Sequence, residues 1–202
     1  MNDKTSREGN TQNKIFTIPN ILSFFRLCLI PFLIWLYCVE HNSMWTAYIL
    51  LLSGATDIID GFIARRFHMV SDLGKVLDPI ADKLTQATML FCLLTRFPLM
   101  IAPIVLMLFK ELCMGISGFQ VIRKVGIVPG ADWHGKVATC LLYGMMLLHV
   151  VWHDIPPMIS NICIVICMAM MIISLVLYGQ RNWNALKHSL KNNAPQSEGT
   201  AK

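Results

Sequence analysis

The sequence predicts an all-α, polytopic membrane protein with six transmembrane helices and both termini in the cytosol. Three observations carry that prediction. Of 202 residues, 55% are hydrophobic and only 14% are charged, where a soluble domain carries roughly a quarter. The apolar residues fall in runs of about 20, the length that crosses the hydrocarbon of a bilayer. Lys and Arg crowd into alternate connectors, and the opposite side has Arg96 as its only arginine and no lysine, beside Glu40, His41, His153 and Asp154. By the positive-inside rule this places both termini in the cytosol and requires an even number of spans.

Residues 1–14 are polar and lack an apolar period, which suits a mobile cytosolic arm and not a signal peptide. A single membrane domain is expected over 15–187, with a polar tail at 188–202. The stretch TIPNILSFFRLCLIPFLIWLYCV follows the arm. Pro19 fits the first turn of a helix, and Ile18, Ile21, Leu22 and Phe25 share one face. A short amphipathic interfacial segment therefore leads into a first span, about Leu22 to Val39. Arg26 lies near its start, shallow enough to snorkel. After a turn at Glu40–Ser43 the second span runs about Met44 to Arg65.

A loop, Arg66 to Gly74, leads to a third span from about Val76 to Thr95, in which Pro79 marks the first turn or a kink. Arg96-Phe97-Pro98 turns into a fourth span, from Leu99 to Arg123-Lys124, with Lys110 and Glu111 near its middle. The linker VGIVPGAD precedes a fifth span, about Trp133 to Trp152, and a sixth, about Pro156 to Tyr178; from Gln180 the chain is basic, then polar. Trp35, Trp45, Trp133 and Trp152 sit near span ends, as aromatic belts do. His134, beside Trp133, reads as an interfacial residue. All seven cysteines lie in apolar stretches without a CxxC pair, so packing is expected of them and neither disulfides nor zinc. The net charge of +5 comes with no aromatic-interleaved basic patch, which excludes a nucleic-acid partner in favour of a membrane surface.

The stretch Asp57 to Asp82, DIIDGFIARRFHMVSDLGKVLDPIAD, stands apart. Ionisable groups within a span mark function. Asp57 and Asp60 are spaced i, i+3 and Asp78 and Asp82 i, i+4, so each pair shares a helical face. The short loop between the two helices makes them antiparallel neighbours whose faces meet. Asp57 lies eight residues before Arg65, about 12 Å of helix, which puts the carboxylates in the cytosolic third of the membrane. Four anions this close repel and call for protons or cations; all-oxygen ligands favour Mg²⁺ or Mn²⁺. Carboxylate-held metal suits phosphate chemistry. Gly61 and Ala64 leave a notch open to backbone, and Arg65 is placed to hold a phosphate.

The pattern D57-x-x-D60-G61-x-x-A64-R65, eight residues, G74-x-x-x-D78-x-x-x-D82 resembles the signature of the CDP-alcohol phosphotransferase family at every defined position. That resemblance implies six membrane helices, a homodimer, and two divalent ions held by Asp57, Asp60, Asp78 and Asp82. It implies transfer of a phosphatidyl group from a CDP-linked lipid to an alcohol with release of CMP, at a bacterial plasma membrane and on its cytosolic face. Asp82 would also be the general base, and Asp60, Gly61, Ala64, Arg65 and Gly74 would contact the cytidine diphosphate.

TIPNILSFFRLCLIPF resembles the amino-terminal segment of bacterial phosphatidylglycerophosphate synthases and of mitochondrial-type cardiolipin synthases, and HGKVAT at His134–Thr139 resembles an element of both groups. Lys110-Glu111 stands where those synthases have Arg-Glu or Arg-Asp. Lys110, Arg123 and Lys136 supply positive charge suited to an anionic acceptor such as glycerol 3-phosphate, with phosphatidylglycerol as the alternative. For Lys110-Glu111 an ion pair tying helices together is about as good a reading. From another class, a cation- or proton-coupled transporter would place its charges near the midplane in paired halves, and the sequence shows neither. An inactive family member is disfavoured because all four aspartates are present.

Overall fold

A computed structural model describes residues 18–66, 72–125 and 133–192. Six helices follow one another: α1 Ile18–Cys38, α2 Ser43–Arg66, α3 Asp72–Leu94, α4 Ile101–Val125, α5 Trp133–Val151 and α6 Pro157–Asn192, with a 3-10 turn at Pro98–Met100 before α4. No strand occurs among the described residues. The amino-terminal arm, most of the loop before α3, most of the VGIVPGAD linker and the end of the tail lie outside them.

Five of the helices are long and apolar enough to cross a membrane, over Asn20–Cys38, Ser43–Ile63, Pro98–Phe119, Trp133–Val151 and Pro157–Asn184. The sixth, α3, has 23 residues, about 34 Å of helix, but Asp72, Lys75, Asp78, Asp82 and Lys83 make its first half strongly charged. Phe24, Phe62, Leu112, Phe119 and Trp183 are each more than 60% exposed, as side chains facing lipid are. Trp45 and Trp133 are exposed at the first turns of α2 and α5.

Helix boundaries differ from the sequence reading in three places. The first helix runs unbroken from Ile18, so the stretch read as an interfacial segment is part of the same helix as the span. The third begins at Asp72 and carries Pro79 well inside it; the missing N–H removes the partner of the residue 75 carbonyl one residue past Asp78. The last continues to Asn192, 36 residues in all, because the basic residues after Gln180 lie in a sequence that keeps its helix formers.

The chain divides into two compact units, Met1–Ile101 with Tyr143–Ser160, and Ala102–Leu142 with Asn161–Lys202. In the first, α1 packs along both α2 and α3, whereas α2 and α3 touch each other over a much shorter stretch. Among the described residues the main lateral partner of each is α1, and the faces of α2 and α3 meet where Asp57 and Asp78 share Arg26. The hand-over from α1 to α2 is tight. His41 takes a left-handed conformation, φ 51°, which histidine tolerates, and the Asn42 N–H returns to the Leu36 carbonyl at 3.0 Å. The Asn42 side chain then accepts from the Trp45 N–H at 3.2 Å, capping α2. Leu33, Leu50, Met89, Leu90, Leu93 and Met146 form the core of this unit, each 1% exposed or less.

In the second unit, Met107, Ile164, Cys167 and Met171 are buried, and polar side chains tie the helices. The Asn182 amide donates to the Ser117 hydroxyl at 3.0 Å, and His134 Nδ1 lies 3.4 Å from Ser174 Oγ. His134, in the first turn of α5, is buried, 8% exposed, and so faces a neighbouring helix, while Trp133 beside it is exposed. Hydrogen bonds of this kind, with small residues at the crossings, stand in for a hydrophobic drive that lipid does not supply.

Within the first unit His149 shows the same logic with a defined tautomer. A carbonyl only accepts, so Nδ1 donates to Met145 O at 2.8 Å, and Nε2 accepts from the Ser160 hydroxyl at 2.9 Å. The Phe97 ring meets the imidazole edge-on at 4.9 Å. His149→Leu strands the buried Ser160 hydroxyl and is expected to cost about 1–3 kcal/mol, seen as a melting temperature several degrees lower in detergent. The double variant His149→Leu, Ser160→Ala recovers most of that loss, since neither polar group then remains.

Candidate functional site

Helix α1 is apolar except for Asn20, Ser23 and Arg26, which follow at three-residue spacing and are 7%, 1% and 0% exposed. That stripe faces α2 and α3. The Arg26 guanidinium donates through Nη1 to Asp57 Oδ1 at 2.6 Å and through Nη2 to Asp78 Oδ1 at 3.4 Å. One fully buried cation on α1 is therefore shared by a carboxylate of α2 and a carboxylate of α3. Ser23, one turn earlier, hydrogen-bonds Asp78 as well. Both carboxylates are open on their other side, 38% and 39% exposed. The arginine read as snorkelling is thus corrected: with two anions facing it inside the bundle, it has no need to reach the interface.

Asp82 lies one turn beyond Asp78 and has a different environment. Gln86, at i+4 on the same face, donates Nε2 to both of its oxygens at 2.9 and 2.8 Å. The Tyr143 hydroxyl, from α5, donates to Oδ1 at 3.0 Å, and Lys83 Nζ stands 3.7 Å from Oδ2. The Tyr143 ring passes α2 at Gly54, where an added Cβ would make ordinary contact with it at 3.6 Å. Asp82 is 15% exposed, held in orientation by neutral donors on two helices, with lone-pair capacity left for one more partner.

Asp57, Asp78 and Asp82 are thereby brought together. Asp60, Ala64 and Arg65 lie on α2, with side chains outside the described set; Gly61 and Gly74 lie on α2 and α3. The three lysine and arginine candidates belong to the second unit. Lys110 is 5% exposed and pairs with its chain neighbour Glu111 at 3.2 Å, a contact within α4, while Arg123 and Lys136 are exposed on α4 and α5. Among the described residues no three acidic, histidine or cysteine side chains meet as a metal site, and that set lacks the Asp60 side chain. The donor chemistry fits a hard divalent ion all the same: Asp57 and Asp78 already converge on one cationic group, and each stays more than a third exposed.

Sequence reasoning left out Gln86, Tyr143 and the role of Arg26. The Asn20–Ser23–Arg26 stripe and the i+4 spacing of Gln86 from Asp82 are local signals that point to two of them. Tyr143, 61 residues from Asp82, has no local signal.

Residues 16–183 match the family model described as CDP-alcohol phosphatidyltransferase. A cardiolipin synthase (CMP-forming) from Streptomyces coelicolor is 35% identical over 143 residues, 67% of this chain and 66% of that protein. A putative cardiolipin synthase from Mycobacterium tuberculosis is 44% identical over 78 residues, 39% of this chain and 37% of that protein. A CDP-diacylglycerol–glycerol-3-phosphate 3-phosphatidyltransferase from Rickettsia bellii is 34% identical over 113 residues, 54% of this chain and 62% of that protein. The matches thus span two-thirds or less of these relatives' lengths.

Arg26→Ala removes the charge shared by Asp57 and Asp78 and leaves two neighbouring carboxylates without it. A loss of roughly 1–3 kcal/mol is expected, read as a lower melting temperature in detergent with chelator present. Millimolar Mg²⁺ is expected to restore part of it, since a divalent ion can replace the missing cation. Arg26→Lys, which keeps the charge but not the fork, should fall between.

Proposed function

Because the chain belongs to the CDP-alcohol phosphatidyltransferase family, we propose that it transfers a phosphatidyl group from CDP-diacylglycerol to a glycerol-derived hydroxyl, releasing CMP in phospholipid synthesis. The observation that carries this reading is the gathering of Asp57, Asp78 and Asp82 around Arg26 and Tyr143, at positions the family signature reserves for its aspartates.

In the reaction, Gly61, Ala64, Arg65 and Gly74, with Asp60, take the cytidine diphosphate, the small residues giving close approach to backbone and Arg65 a charge for phosphate. Asp57, Asp60, Asp78 and Asp82 would hold two Mg²⁺ or Mn²⁺ ions. Such ions, when bound, neutralise phosphate oxygens and the charge developing on them. Arg26 is a positioning residue: it fixes the carboxylates of α2 and α3 relative to each other. Asp82 takes the proton of the acceptor hydroxyl as the hydroxyl oxygen forms its bond to the phosphatidyl phosphorus and the bond from that phosphorus to CMP breaks. Gln86 and Tyr143 hold the Asp82 carboxylate at the angle this requires.

The same reading takes α3 as a sixth span, with its charged first half lining the site, and 15–187 as a single membrane domain with both termini cytosolic. It places the site toward the cytosol at a bacterial plasma membrane and the chain in a homodimer. Glycerol 3-phosphate is the acceptor for which Lys110, Arg123 and Lys136 supply charge. A second reading, phosphatidylglycerol as acceptor, is favoured by the name of the Streptomyces relative, matched over two-thirds of this chain, and by the pairing of Lys110 with Glu111.

The test is CMP release by purified protein with CDP-diacylglycerol, Mg²⁺ or Mn²⁺, and each acceptor in turn. Release with glycerol 3-phosphate supports the first reading, release only with phosphatidylglycerol the second. No release with either, or release undiminished by chelator, overturns the mechanism. Asp82→Asn is expected to lower turnover by roughly a thousandfold while leaving CDP-diacylglycerol binding largely intact. Tyr143→Phe, which loses one neutral hydrogen bond, is expected to lower kcat about tenfold with little change in KM.

A further inference from the structure

At the end of the first unit away from the aspartates, α1 and α3 come together at a pair of cysteines. Cys38 is the last residue of α1 and Cys92 lies in the last turn of α3. Their Sγ atoms are 3.8 Å apart. Cys92 is buried beneath, 6% exposed, while Cys38 is exposed. Cys38 lines a cavity of about 300 Å³ with Tyr37, His41, Thr95, Arg96 and His153. That lining includes two imidazoles, of His41 and His153. Of the two thiols Cys38 is therefore reachable from solvent and Cys92 lies beneath it at 3.8 Å, the arrangement of an attacked and a resolving cysteine.

We propose that Cys38 and Cys92 form a disulfide that staples the last turn of α1 to the last turn of α3. The oxidant is a disulfide donor, either a thiol–disulfide oxidoreductase or a small-molecule disulfide, entering by the cavity. Cys38 thiolate attacks one sulfur of the donor, forming a mixed disulfide and expelling one donor thiol. Cys92 thiolate then attacks Cys38 Sγ, the Cys38–Cys92 bond forms, and the second donor thiol leaves. Two protein thiols are oxidised, one donor disulfide is reduced to two thiols, and the two thiol protons leave with them. The approach from 3.8 Å needs only side-chain rotation, since both cysteines sit at helix ends already in contact.

The staple has a mechanical consequence at the site. Arg26 and Cys38 are on one helix, Asp78 and Cys92 on the other, and the two pairs fix these helices as parallel. Closing the second pair fixes the axial register of α1 on α3 and with it the Arg26–Asp78 contact. In the orientation proposed above, on which only the place of oxidation rests, this end faces away from the cytosol, where disulfides persist.

The test uses the purified full chain, treated with oxidised glutathione or diamide, then unfolded and tagged with a mass-shifting maleimide. The chain is expected to lose two of its seven cysteine tags, with a Cys38–Cys92 linked peptide in the non-reduced digest, reversed by reductant. Cys38→Ser and Cys92→Ser should abolish the loss, and Cys28→Ser and Cys140→Ser should keep it. Retention of all seven tags, or a linkage to any other cysteine, overturns the proposal, and mapping the unsubstituted chain decides this even if a variant misfolds. A membrane-impermeant maleimide, applied to intact cells after a membrane-impermeant reductant, separates the orientation: Cys38 unlabelled there but linked in purified protein leaves the disulfide standing and reverses the topology.

Discussion

Everything in the first unit is arranged around a guanidinium with no access to solvent. A buried arginine is tolerable only when opposite charge and hydrogen-bond acceptors surround it, and Arg26 has them on two different helices. This makes the packing of α1 non-negotiable in a way that apolar contact does not: leucines slide past one another at small cost, while a guanidinium between two carboxylates has one register. The stripe of Asn20 and Ser23 leading to it extends the same constraint along the helix.

The carboxylates gathered there are not equivalent. Asp57 and Asp78 share a buried guanidinium and are open to solvent, whereas Asp82 is hydrogen-bonded by an amide and a phenol, has Lys83 at 3.7 Å, and is largely enclosed. Groups of one chemical type placed in contrasting environments are how a site divides its work. The first environment suits holding positive charge of any kind, from an arginine or an ion. The second suits a group whose direction matters, because both oxygens are fixed by donors of defined geometry. Helix α5 thus enters the site through Tyr143.

Much of this was legible in the sequence. The spacing of Asp57 with Asp60 and of Asp78 with Asp82 follows from helical period, and α2 and α5 begin and end within a residue or so of the limits that hydropathy indicates. What was not legible is lateral arrangement. A short loop says that α2 and α3 are consecutive, and nothing in either says that α1 lies along both. Arg26 taken alone at a helix start is ambiguous between interface and interior; the decision lies with carboxylates 31 and 52 residues away. Tyr143 is one tyrosine in an apolar run until the fold sets it beside Asp82. The start of α3 was misjudged for a different reason, since Asp72, Lys75 and Pro79 obscure a helix when hydropathy is the guide.

The central position of α1 bears on how the protein is made. Helix α1 leaves the ribosome before α2 and α3, carrying an arginine that would cost roughly 2.5–3.5 kcal/mol at the middle of a span. Its first counter-charge arrives with α2 and its second only with α3, 52 residues later. Until then α1 is held by its apolar length alone, free to ride shallow with Arg26 toward the headgroups. Its final place is set when Asp78 meets Arg26, so that of these three helices the first to be synthesised is among the last to settle.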